Sequence, residues 1–124
     1  MPWLAGLIAA VMLGALPAFA ADAPPEMRVV VFHTAGPNWK TGVAFRDQPG
    51  IADHVAYYGK ALADGKLSLG GPFLDNSGGM MIFVPGAKLE EIDAFAQNDP
   101  AVKSGLLTAT VKPWYPPLQA HQAE

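Results

Sequence analysis

The segment Arg28 to Thr34, RVVVFHT, leaves a fold the least freedom of any stretch in this chain. Its apolar, largely β-branched run reads as a β-strand, and the apolar side chains fall on both alternating faces. A sheet built on such a strand must be covered on both sides. The rest of the chain has to supply the covers.

Residues 35–48 hold Gly, Pro and Asn together with Trp39 and Phe45, a connection longer than most in a compact domain, and loops of that length are commonly functional. In the next stretch, GIADHVAYYGKAL, Ile51, Val55, Tyr58 and Leu62 lie three or four residues apart and predict one apolar helical stripe. Pro49 suits the first turn and Gly65 the stop, so the helix is expected from Pro49 to Asp64. Leu67 to Leu74 and Met80 to Val84 flank the turn-forming DNSGG and predict a hairpin, with Gly70 and Gly71 marking a bulge or a close backbone approach. Lys88 to Gln97 repeats Leu89, Ile92 and Phe95 at every third position behind early acids, a second helix. Leu106 to Trp114 alternates and carries Thr108, Thr110 and Val111, a final strand. This β-α-β-β-α-β order is the split βαβ arrangement of an α+β, ferredoxin-like sandwich, with both helices on one face of an antiparallel sheet. The face without helices then needs a second layer. A homodimer with two sheets facing each other is expected to provide it.

The opening MPWLAGLIAAVMLGALPAFA has no charged side chain, runs apolar from Leu4 to Leu16 and finishes with Ala18-Phe19-Ala20. It reads as a secretory signal cleaved after Ala20, although the usual basic n-region residue is missing and an uncleaved membrane anchor is the alternative. Pro2, Gly6, Gly14 and Pro17 make it a marginal span. The expected organisation is signal 1–20, linker 21–27, one domain over 28–115 and a polar tail over 116–124, with export to the periplasm or beyond. A net charge of −3 without a Lys/Arg cluster argues against nucleic acid and anionic membrane surfaces as partners. The absence of cysteine excludes disulfides, thiol catalysis and thiolate metal sites. No histidine pairs with another at i, i+4, and phosphate loops, nucleophile elbows and dinucleotide fingerprints are missing, so neither metal nor cofactor is expected. Acid/base chemistry on a small molecule remains.

His54 sits on the predicted helical stripe, where burial strips water from two ring nitrogens unless the fold supplies a partner. Periodicity leaves both a core histidine bonded to a carbonyl and a functional one open. At HVAYYGKALADGKLSLGGPFLDNSGGMMIFV, followed by NDPAVKSGLLTATVKPW, the sequence resembles the YCII-like domain family over roughly Arg28 to Trp114. That family's pattern of a helix-borne histidine, a Gly-Pro in the second strand and an Asp-Pro after the second helix is met by His54, Gly71-Pro72 and Asp99-Pro100. The resemblance implies a dimeric α+β barrel with His54 and Asp99 as a catalytic pair, and one family member is associated with dehydrochlorination of a chlorinated hydroxyhydroquinone.

An Asp99 that accepts Nδ1–H would leave Nε2 as a base near neutral pH. Asp99 also suits the N-cap of a short turn from Pro100 to Ser104. His33, on the strand face of Val29 and Val31, is a candidate substrate contact together with Trp39, Tyr58, Gly71 and Pro72. The expected function is cofactor-independent elimination or isomerisation of a small hydroxylated or aromatic substrate. The alternative is a non-catalytic dimeric module of the cell envelope that binds a small ligand or another protein. An enzyme needs His54 facing an open cavity with Asp99 behind it, whereas the module is content with His54 enclosed and bonded at both nitrogens.

Overall fold

The computed structural model describes residues 27–120, so the expected signal, nearly all of the linker and the last four residues lie outside the described part. Four strands, β1 (Arg28–Ala35), β2 (Leu67–Pro72), β3 (Gly79–Phe83) and β4 (Leu107–Trp114), form one sheet in the order β2-β3-β1-β4. All its pairings are antiparallel: Val31 is opposite Met81 on one side and Val111 on the other, and Gly70 is opposite Met81. Helices α1 (Ile51–Ala63), α2 (Leu89–Gln97) and α3 (Pro100–Lys103), with a single 3-10 turn over Phe45–Asp47, complete the described domain. The two βαβ units interleave, each strand pair leaving the gap that a strand of the other fills, as the element order predicts. Among the described residues no helix is long and apolar enough to cross a membrane.

Strand alternation places Val29, Val31 and His33 on the helix side of β1. There Val29, Val31 and Phe83 pack with Tyr58 and Ala61 of α1 and with Ile92 and Ala96 of α2. Each large apolar side chain removed from water in this layer contributes about 1.5–3 kcal/mol. On the opposite face Val30 is buried and Phe32, Met80 and Ile82 are half-buried. The chain beyond β4 turns back there, and Pro116, Leu118 and Gln119 border a shallow depression with Arg28, Ile82 and Trp114.

Two local expectations are corrected, and a third, on the hairpin glycines, resolves to one of its two alternatives. The helix begins at Ile51 rather than Pro49, because Gly50 adopts the left-handed region at φ 89° and turns the chain into the first helical residue. Its end is the expected glycine stop: Gly65, at φ 74°, donates to the Leu62 carbonyl while Lys66 donates to Ala61, closing the last turn. The buried face is Ile51, His54, Tyr58 and Ala61, whereas Val55 and Leu62 are 57 % and 54 % exposed. The helix seats the small Ala61 on the sheet and tilts its larger aliphatics off it. In the hairpin, the irregularity falls between Leu67 and Leu69 instead of at the paired glycines. Gly70 marks the close approach, since a side chain there would collide with Met81.

Candidate functional site

The period-two row of β1 ends on its helix side at His33, after Val29 and Val31. Starting α1 at Ile51 brings His54 to the buried face within its first turn. Asp99 caps α3: Pro100 supplies a preset first helical position, and Asp99 Oδ1 accepts the Ala101 N–H at 2.9 Å. The second carboxylate oxygen, Oδ2, accepts from His54 Nδ1 at 2.6 Å. Asp99 is wholly buried, so water does not compete for this short, charge-assisted bond.

A carboxylate can only accept, so the imidazole proton is on Nδ1 and the lone pair on Nε2. Nε2 has no hydrogen-bond partner among the described residues, and the ring borders a cavity of about 530 Å³.

His33 stands edge-on to His54, ring centroids 4.9 Å apart at 82°. Its Nε2 is 3.3 Å from the Tyr58 hydroxyl and 3.7 Å from Asp99 Oδ2, and its buried Nδ1 has no partner. Burial first and the neighbouring His54 second lower its pKa to about 4 against the pull of Asp99, so His33 is neutral at physiological pH. Burial, reinforced by Asp99 and Tyr57, pushes the Tyr58 hydroxyl far above the usual phenol range. The assignment that gives the Tyr58 proton an acceptor among the described residues has that hydroxyl donating to His33 Nε2.

Trp39 and Phe45 form an aromatic wall, with Phe45 edge-on to His54 at 6.5 Å. Their long loop is pinned rather than loose. Buried Gln48 donates to the carbonyls of Lys40 at 2.8 Å and Val43 at 2.9 Å and accepts the Lys40 N–H at 3.0 Å. Asn38 ties the other end to the Ser104 carbonyl at 2.7 Å. Gln48 was not among the sequence candidates, because its partners are backbone groups of an irregular loop and no residue pattern announces them. Gly71 and Pro72 line the cavity from the end of β2. His33, Trp39, Tyr58, Gly71 and Pro72 therefore all border the space that His54 faces, with Asp99 behind it.

The ligand atoms of His33, His54 and Asp99 lie within 4.8 Å of one another, and among the described residues they are the group able to hold a metal ion. They come from β1, α1 and the corner before α3, so local spacing could not reveal the cluster. A cation held there would replace the proton now shared by His54 Nδ1 and Asp99.

The profile of the YCII-related domain matches residues 27–115. The Bacillus subtilis (strain 168) uncharacterized protein YjpA is 32 % identical over 68 residues, which cover 55 % of this chain and 79 % of that protein. Among solved structures, the 5-chloro-2-hydroxyhydroquinone dehydrochlorinase TftG of Burkholderia phenoliruptrix AC1100, in complex with 2,5-dihydroxybenzoquinone, is similar. Its TM-score is 0.52 at 24 % identity, covering 70 % of this chain and 92 % of that one. That likeness is one of fold.

Proposed function

The chain belongs to the YCII-related domain family, and from that premise we propose that it is a cofactor-independent enzyme in which His54, oriented by Asp99, moves a proton on a small hydroxylated or aromatic substrate. The single observation behind this reading is the 2.6 Å bond from His54 Nδ1 to a fully buried carboxylate beside an open cavity. Nε2 takes a proton from a substrate O–H or C–H, and the electron pair released forms a new π bond. In elimination a leaving group on the neighbouring atom departs with its own pair; in isomerisation the imidazolium returns the proton to a different atom. Asp99 stabilises the imidazolium formed in between.

Trp39, Phe45 and Tyr58 favour a flat ring through edge and face contacts. The dihydroxybenzoquinone bound by the dehydrochlorinase of like fold supports that ligand class. An unpartnered Nε2 favours the enzyme over the ligand-binding module, which would bond both nitrogens. The test is turnover of a panel of hydroxylated and halogenated aromatics, followed by absorbance and halide release. Folded His54→Gln should lose on the order of a hundredfold to ten-thousandfold in rate, and equal rates would leave the binding module in front.

Two further parts of the reading concern assembly and place. Two copies pack their open sheet faces together, which would cover Phe32, Met80 and Ile82; sedimentation at micromolar concentration should report twice the chain mass, and a monomer there contradicts the facing-sheet barrel. The apolar opening segment directs export to the periplasm or beyond. Mass measurement from the native host should find Ala21 first, whereas an intact Met1 in a membrane fraction overturns cleavage.

A further inference from the structure

The cavity does not stop at the histidines. It continues along α1, whose Val55, Gly59 and Leu62 form one of its walls, and against the other wall from Leu69 to Phe73. From His54 to Leu62 the helix rises about 12 Å, more than two turns. The slot thus has the two imidazoles at one end, and along the rest these apolar groups together with Ser68, Asn76 and Ser77.

Val55 and Leu62, at 57 % and 54 % exposed, are aliphatic side chains left in solvent on the wall of this slot. Between Val55 and Leu62 stands Gly59, in the interior of a helix where glycine is unfavourable relative to alanine. No backbone requirement explains it, because its φ is not in the left-handed region. A Cβ built on it meets nothing within 4 Å. Gly59 borders the slot at an exposed position, so a larger side chain there has room to extend over it. The cavity volume of about 530 Å³ is in the range that holds drug-sized ligands, well beyond one six-membered ring.

We propose that the substrate is elongated, with a hydroxylated ring at His54 and an apolar extension lying between α1 and β2, and that Gly59 is the specificity-determining residue that keeps this slot open. The proposal rests on the reading of His54 as the polar end of the site. It names an alkyl or aryl substituent as the chemistry recognised, since Val55, Leu62 and Phe73 offer dispersion contacts and no fixed charge.

Calorimetric titration with two probes tests it: 2,5-dihydroxybenzoquinone and its 3-hexyl derivative. Each methylene removed from water should tighten binding about fourfold, so even partial burial of the chain makes the hexyl probe at least tenfold tighter than the parent for the wild type. In Gly59→Leu the ratio of the two dissociation constants should collapse toward one. Gly59→Ala serves as the folding control and should melt a few degrees above wild type.

A hexyl probe that binds wild type no tighter than the parent, or not at all, overturns the slot whatever the parent does. A ratio unchanged in a folded Gly59→Leu overturns the role of Gly59. If the hexyl probe binds and Gly59→Leu removes it while the parent ring shows no affinity and His54→Gln changes nothing, the slot stands and the proton-transfer reading of its polar end falls.

Discussion

Replacing Asp99 separates two tasks performed by one carboxylate. In Asp99→Ala the Ala101 N–H loses its cap, which costs about 1 kcal/mol. The His54 Nδ1–H, buried and 2.6 Å from its charged acceptor in the wild type, is left without a partner, which costs about 2 kcal/mol more. A loss near 3 kcal/mol lowers Tm by roughly 12–24 °C in a domain of this size. Asp99→Asn behaves differently. Its amide oxygen can keep the Ala101 N–H, which turns the NH₂ toward His54 and forces Nδ1 to accept. The imidazole proton then moves to Nε2, the atom that must be bare to act as a base. Stability should fall by only about 1–2 kcal/mol, while turnover falls on the order of ten-thousandfold, as when a triad carboxylate is amidated. Urea melts give the first quantity, and ¹H–¹⁵N correlation of the ring nitrogens gives the tautomer without any substrate. Persistence of the Nδ1–H tautomer in Asp99→Asn, or an Asp99→Ala protein within about 1 kcal/mol of wild type, would refute the assignment of both roles.

The pH dependence of stability should carry the signature of His33. Its folded pKa, about 4, lies below the ordinary histidine value of about 6.5, so the unfolded chain binds more protons in that window and stability falls as pH drops through it. The loss is on the order of 3 kcal/mol; urea midpoints at pH 7 and 4.5 that differ equally in wild type and His33→Gln would contradict it. Gln48→Ala removes three hydrogen bonds to the Lys40–Val43 turn and should destabilise the domain by about 2 kcal/mol. It should also speed hydrogen exchange at the Lys40 amide, and unchanged exchange there would show that the loop is held by other contacts.

Much of this arrangement is legible in the chain because two periodicities do most of the placing. Period two along β1 puts His33 behind Val29 and Val31, and an Asp-Pro pair marks a helix start regardless of what else the carboxylate does. His54 shares its apolar stripe with Ile51 and Tyr58, but the buried face takes Ala61 in place of Val55 and Leu62. Hydrophobicity alone cannot tell Val55 and Leu62, which flank a cavity, from Ala61, which packs on the sheet. The start of α1 is masked in the sequence because a proline that suits a first turn stands just before a glycine that turns the chain sharply. The bond between His54 and Asp99 links residues 45 positions apart, and no local pattern reports it; the motif resemblance did. Gln48 stayed hidden since any polar side chain could stand at its position in sequence, and only the folded loop shows which carbonyls surround it.

The interleaved strand order also dictates when this domain can exist at all. Of the described elements the inner strand β1 is laid down first, but one of its two neighbours, β4, is made last, with Arg28 finally opposite Trp114. Until Leu107 and its successors arrive, the inner strand is an open edge with unpaired amides and carbonyls, a template for aggregation. Contacts between such distant segments slow folding. A nascent chain therefore holds neither a closed sheet nor a complete domain and is open to proteases. Cooperative protection sets in only when the final strand closes the sheet.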